Sequence, residues 1–195
     1  MSKVLTHMTM SLDGYIAAPN DDVGELFEWY GAGDVTVPSA NEAVAFSVDP
    51  ASAELLTSLT DNMGALVAGR RLFDIASGWN DAHPAGAPVV VVTHRPPPDA
   101  AERWPRTAFA DGVEAAIDRA REIAGEQDVT IASADVTRQA LDLGLVDEVC
   151  VSLVPVLFGA GIPYFGALDR GHLRLEDPIV VQGRRALHLR YPVRR

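Results

Sequence analysis

Short alternating and blocked runs of apolar residues divide this chain into strand-sized and helix-sized pieces. Lys3 to Met10, with Val4, Thr6 and Met8 at every second position, predicts a buried first strand. Ser11 to Ala17 leaves it as a loop with a turn at Asp13-Gly14. Leu55, Leu56, Leu59 and Met63 form a helical stripe. Asp49 is its N-cap, Pro50 takes its first helical position, and Gly64 closes it. Ala65 to Gly69 reads as a second strand, and Arg70 to Ile75 as the start of a short helix. Pro88 to Thr93, with four consecutive valines, predicts a strand buried on both faces, as in a parallel sheet. The clearest helix is Gly112 to Ala124, where Val113, Ala116, Ile117, Ala120, Ile123 and Ala124 share one face and Gly125 is the stop.

The stretch from Val129 to Gly161 organises the rest. It reads as strand (Val129 to Ala132), tight turn, helix (Val136, Gln139, Ala140 and Leu143 at helical spacing, Gly144 as stop), then a second apolar run from Val149 to Leu157. Pro155 punctuates that run, Gly159 and Gly161 end it, and the glycine pair reads as a bulge or turn near the sheet edge. Ser133 or Asp135 can cap the helix. His94 to Arg106, rich in proline, predicts an extended connector, and Phe109 a brief strand. Leu173 to Val193 predicts two strands around a turn near Gln182-Gly183-Arg184, with Leu187, Leu189 and Tyr191 on one face and His188 and Arg190 on the other. Pro19 to Gly33 is loop-like yet holds Leu26, Phe27, Trp29 and Tyr30, which fits a lid, a pocket wall or a patch that packs on another subunit. Asp34 to Val48 has no assignable pattern. The strand-helix alternation predicts one α/β domain over residues 1–195, a mainly parallel sheet with helices on both faces and a C-terminal antiparallel hairpin.

Charge narrows the partners. The 195 residues carry a net charge of −11, which disfavours nucleic acid and anionic membranes as partners. Even so, Arg70-Arg71, His94-Arg95 and Arg184-Arg185 form local basic pairs, as a pocket for a small anion would need and as many solvated surfaces also show. The single cysteine, Cys150, has no disulfide partner within the chain and reads as a small buried hydrophobe. No signal-peptide pattern opens the chain and no run is long enough to span a membrane, so a cytoplasmic location is expected.

Three segments are expected at the carboxyl ends of parallel strands, where open α/β sheets bind ligands. Gly69-Arg70-Arg71 offers a turn and guanidinium forks for phosphate. Thr93-His94-Arg95 offers a hydroxyl, an imidazole and a guanidinium suited to a phosphate monoester. Ala132-Ser133-Ala134 opens a helix, whose free N–H groups attract a pyrophosphate. The first also reads as a solvated arginine pair and the second as an ordinary polar loop start; together the three suit a dinucleotide with an extra phosphate, NADPH rather than NADH. Asp13 is the acid expected nearest a substrate, with Tyr15 beside it as a flat face, or else a plain turn residue. No Cys or His spacing for zinc, no Walker loop, no nucleophile elbow and no Gly-x-Gly-x-x-Gly is present, so no metal is expected.

The series Thr9-Met10-Ser11-Leu12-Asp13-Gly14-Tyr15-Ile16-Ala17, Gly69-Arg70-Arg71, Val91-Val92-Thr93-His94-Arg95-Pro96, and Gly144-Leu145-Val146-Asp147-Glu148 running on to Pro155-Val156-Leu157-Phe158-Gly159-Ala160-Gly161 resembles the RibD C-terminal reductase family. That family is similar in fold to dihydrofolate reductase. The resemblance implies a mixed sheet of about eight strands, NADPH as hydride donor, a homodimer, and as founding activity the reduction of 5-amino-6-(5-phosphoribosylamino)uracil in riboflavin biosynthesis. It implies that Gly69, Arg70 and Arg71 hold cofactor phosphates, that Thr93, His94 and Arg95 bind the adenosine 2′-phosphate, that Ile16 and Ala17 line the nicotinamide side, and that Asp13 faces the substrate as the catalytic residue. Ala132 and Ser133 stand where the family has two glycines, so a methyl and a hydroxymethyl occupy the approach to the pyrophosphate. Asp135, early in the helix, is expected to repel phosphate. Tyr15 stands where the founding enzyme has lysine, which points to a different small heterocycle, a pterin, pyrimidine or flavin. The other reading is a non-catalytic nucleotide- or ligand-binding homodimer that retained the fold.

Overall fold

Backbone pairing between the apolar runs builds an eight-stranded sheet in a computed structural model that describes residues 2–194. In chain order come β1 (Val4–Ser11), β2 (Tyr15–Ala17), a 3-10 helix (Gly24–Gly31), β3 (Val35–Val37), β4 (Phe46–Val48), α1 (Pro50–Asn62) and β5 (Met63–Gly69). Next are α2 (Arg70–Ile75), a second 3-10 turn (Ser77–Asp81), β6 (Val89–Val92), α3 (Ala100–Arg103), β7 (Thr107–Ala110), α4 (Val113–Ala124) and β8 (Asp128–Ala132). α5 (Ala134–Asp142), β9 (Glu148–Val154), β10 (Ile162–Pro163), β11 (Ile179–Gln182) and β12 (Leu187–Pro192) complete the chain. The sheet order is β11-β12-β9-β1-β8-β5-β6-β7. The strands from β7 to β9 pair in parallel, while β12 and β11 are antiparallel.

Local chemistry accounts for most boundaries. Asp49 accepts the Ala51 and Ser52 N–H groups (3.0 and 3.1 Å) and Pro50 supplies the fixed φ of the first turn, as expected for the start of α1. Val89 to Val91 are buried with strands on either side, as the valine run predicts. One apolar layer packs α4 and α5 on Val4, Val67, Val129, Ile131 and Val149. On the other face α1 and the first 3-10 helix cover one half, and α2 with Trp104 covers the other.

Several expectations are corrected. The aromatic stretch is not a loop but a 3-10 helix, and it anchors this chain's own core: Leu26 and Trp29 are fully buried there, with Phe27 and Tyr30 packed against them. Asp34 to Val48 carries a small antiparallel pair, β3 with β4. Gly64 does not close α1 but lies inside β5, where a Cβ would come within 2.7 Å of the Ala124 backbone, so close sheet–helix packing requires glycine there. The proline-rich connector contains the single turn α3.

His188 and Arg190 alternate away from Leu187 and Leu189, as expected, and face the α1 layer. A hydrogen-bonded seam runs beneath α1. His7 Nε2 meets Ser152 Oγ at 3.0 Å, Ser152 Oγ meets His188 Nδ1 at 2.9 Å, His188 Nε2 meets Ser52 Oγ at 3.0 Å, and Ser52 Oγ donates to Asp49 Oδ2 at 2.6 Å. Gly183 lies over this seam so closely that a Cβ would sit 2.2 Å from Ser52 Oγ. His7 also lines a small void with Leu55, Leu59, Cys150 and Arg190. Burial, aided by the nearby His188 and Arg190, pushes the His7 pKa down to about 4; burial also lowers His188. Both imidazoles are therefore neutral in the fold, while the unfolded chain protonates them below its ordinary value. Stability should thus be complete at neutral pH and fall as acid is added, the His7 share being on the order of 2 kcal/mol by about pH 5. Denaturant unfolding across pH tests this, with His7→Asn expected to flatten the acid limb.

Candidate functional site

Parallel strands that lie side by side end on one edge, and here that edge gathers the chemistry. β1 exits into Asp13-Gly14-Tyr15, β8 into α5, β5 into α2, and β6 into Thr93-His94-Arg95. The three predicted phosphate segments therefore lie along one rim, as expected. Arg70 and Arg95 touch: Arg70 Nη1 donates to the Arg95 carbonyl at 2.6 Å. Thr93 Oγ1 accepts the Arg95 N–H at 3.1 Å and so shapes the turn after β6.

Most of the cations on the rim already have carboxylate partners. Arg70 Nε donates to both Asp74 oxygens (2.8 and 2.9 Å), Arg71 donates to Asp21 Oδ2 (3.2 and 2.8 Å), and His94 Nδ1 bonds Asp111. The Asp21 carboxylate raises the Arg71 pKa further. Only the Arg95 guanidinium, among these, has no partner among the described residues.

Ser133 occupies the N-cap position of α5 but does not cap it. Its hydroxyl accepts the Gly69 N–H at 2.7 Å, joining the exits of β8 and β5. A Cβ on Gly69 would approach Ser133 Oγ to 3.2 Å, so the two strand ends are in contact. No side chain caps α5, and its first-turn N–H groups open on the rim beside Ala132 and Ala134. Asp135 is not the cap either: it accepts from Arg138 Nη2 (3.1 Å) and Gln139 Nε2 (2.7 Å), so its charge is drawn back along the helix surface and balanced there.

Asp13 is a tie between two loops. Its Oδ1 accepts the Ser11 hydroxyl (2.6 Å) and the Phe158 N–H (3.2 Å), and its Oδ2 accepts the Gly159 N–H (2.7 Å). The Ser11 hydroxyl above all, with these two amides, holds its pKa below the usual carboxylate value. Asp13 is thus a standing anion, exposed at the rim, with an acceptor position left on Oδ2. Tyr15 and Ala17 lie on β2, which pairs with β10; Ile16 packs on the main core and Ala17 is buried. The glycine pair forms the turn beside β2, where a Cβ on Gly161 would meet the Ala17 carbonyl at 2.2 Å. Cys150 is 1% exposed and burial, with Glu148 nearby, pushes its thiol up to about 12, which leaves it inert as a nucleophile.

Asp21, Ser11 and Asp111 are the rim residues that the sequence reading missed. Ser11 was within reach of it: it closes a polar alternation, His7, Thr9, Ser11, opposite the one noticed.

The RibD C-terminal domain model matches residues 2–185. This chain belongs to that family. Among solved structures, a protein of Shewanella sp. PV-4 ascribed to riboflavin biosynthesis superposes with a TM-score of 0.70 at 23% identity, covering 99% of each chain. RibD of Acinetobacter baumannii gives 0.64 at 17% identity, with all of this chain spanning 59% of that one. Dihydrofolate reductase of Enterococcus faecalis, complexed with NADP(H), gives 0.57 at 12% identity over 99% of this chain and 97% of that one. These likenesses establish the dihydrofolate reductase-like fold. No curated protein matches. Among the described residues no helix is long and apolar enough to cross a membrane.

In this member of the RibD C-terminal family, Asp13→Asn should lower the melting temperature by a few degrees and speed amide exchange at 156–161. The amide that replaces one carboxylate oxygen turns an N–H toward a backbone N–H. Unchanged exchange there would remove Asp13 from its structural role.

Proposed function

We propose that the protein is an NADPH-dependent reductase of a small heterocycle of pyrimidine, pterin or flavin type. The observation that carries this reading is the convergence of Arg70, Arg71 and Arg95 around the uncapped start of α5 on one rim. Family membership and reductase neighbours support it. The residues fit a dinucleotide phosphate: guanidinium forks flank free helix amides, and the unpartnered Arg95 beside Thr93 and His94 suits a 2′-phosphate. NADPH would supply the hydride. The chain's part is to hold the two rings face to face, with Ile16 and Ala17 on the nicotinamide side and Tyr15 against the substrate. Asp13, a standing anion, accepts a ring N–H rather than giving a proton, and water beside it brings the proton.

One observation favours the second reading, a ligand-binding protein without turnover: the Ser133–Gly69 bond narrows the approach to the pyrophosphate. NADPH titration by fluorescence, followed by hydride-transfer assays on the three heterocycle classes, separates the two. Binding without oxidation of any would favour the second, and no binding at millimolar NADPH would remove the first. Arg95→Ala should weaken NADPH about tenfold while leaving NADH nearly unchanged, because a charge-assisted bond to the extra phosphate is lost. Equal losses would refute the 2′-phosphate assignment.

We further propose a homodimer. Val180 stands opposite Leu189, and Leu187 opposite Leu153, on the sheet face away from the polar seam. Val180 is 52% exposed and Phe165 is 42% exposed. Val180→Asp should therefore convert the dimer to monomer in light scattering; an unaltered mass would place the interface elsewhere.

A further inference from the structure

Asp21 draws three separate signs of constraint onto one residue. Its Oδ2 takes both Arg71 donors, at 3.2 and 2.8 Å. Its Oδ1 is buried without a hydrogen-bond partner. Its φ is +68°, in the left-handed region that a non-glycine residue adopts at a cost. The flanking turn is tight: Ala18 N–H donates to the Asp22 carbonyl (2.8 Å), Asp21 N–H to the Ala18 carbonyl (3.0 Å), and Gly24 N–H to Asp22 Oδ1 (3.0 Å).

Topology says what this contact crosses. Residues 18–24 follow β2, the short strand that the chain enters after leaving β1 and that packs beside it, and Arg71 follows the exit of β5. Between β1 and β5 lies β8, whose carboxyl end carries Ala132, Ser133 and the start of α5. The Asp21–Arg71 pair therefore straddles the rim above the proposed pyrophosphate position. A carboxylate and a phosphate ask the same thing of a guanidinium, two N–H donors in one plane, so both cannot be served by Arg71 at once.

We propose that Asp21 is an internal competitor for cofactor phosphate: it latches the 18–24 loop across the rim through Arg71, and the loop lets go when phosphate takes the guanidinium. This rests on the reductase reading for the identity of the phosphate, but not for the latch itself. The strained φ and the orphaned Oδ1 set the closed loop at a cost, which suits a contact made to be released. The competitor is a property of Asp21 and Arg71 together, so the two residues should have opposite effects on affinity and the same effect on the loop.

The test measures amide hydrogen exchange at residues 18–24 without ligand, and NADPH affinity, in the wild type, Asp21→Asn and Arg71→Gln. Asparagine tolerates the left-handed conformation and keeps the shape, and melting temperatures report whether each variant folds. Both variants should exchange faster at 18–24. Asp21→Asn should bind NADPH up to about five-fold more tightly, the scale of one exposed ion pair, and Arg71→Gln should bind it more weakly. Unchanged exchange in both variants overturns the latch, and equal or weaker NADPH binding by Asp21→Asn overturns the competition. Should none of the three proteins bind NADPH, the reductase reading fails, while the exchange comparison still decides whether the loop is latched.

Discussion

Parallel pairing is the constraint on which everything else in this protein hangs. β1, β8, β5 and β6 run side by side in one direction, so their exits are forced onto one edge. Each exit must then satisfy or present polar backbone groups, because the strands behind it are buried and cannot. β8 resolves this by turning at once into α5, and β5 by turning into α2. The Ser133 hydroxyl ties these two exits through the Gly69 N–H, which sets their spacing.

That edge gathers cations within an acidic molecule, and carboxylates on the same edge balance their charge. Asp74, Asp21 and Asp111 answer Arg70, Arg71 and His94. All three pairs are exposed or partly so, where such contacts contribute little to stability. Their consequence lies in orientation: guanidinium groups already held in place lose less freedom when an anion arrives, and the anion must displace a carboxylate to bind. Arg95, held through its backbone but with a free side chain, is the exception.

Behind the rim the sheet has two unlike faces. Toward α4 and α5 it is mostly apolar, with the buried hydroxyls of Thr6, Thr137 and Tyr164 set among the aliphatic side chains. Toward α1 it carries the chain of His7, Ser152, His188, Ser52 and Asp49, closed over by Gly183. Farther along, the buried Glu148 is held ionised against its own burial by Arg190 and Lys3. A polar network of this kind fixes the position of α1 on the sheet more narrowly than apolar contacts would, since each bond has one acceptable geometry. It also makes that layer sensitive to protonation in a way the other face is not.

Much of this architecture was legible residue by residue. Four consecutive valines have one economical use, a strand covered on both sides, and the Asp49-Pro50 pair encodes a helix start through local bonds alone. Periodicity likewise placed α4, α5 and β12, and Gly69-Arg70-Arg71, Thr93-His94-Arg95 and Ala132-Ser133 announced the rim, because these signals act over a few residues. The sequence by itself thus determined the main strands and helices of the central sheet and the polar residues that end its parallel strands, but not the short elements β2, β3, β4 and α3 or the first 3-10 helix, whose few residues carry no full period. Only the tertiary structure decided where side chains found their partners: Trp29 in the chain's own core, Ser133 on Gly69 rather than on its helix, Asp13 on the 158–159 amides, Asp21 on Arg71, His7 in line with His188. Each of these joins residues far apart in the chain, and such pairings are set by how the layers pack, which no local period records.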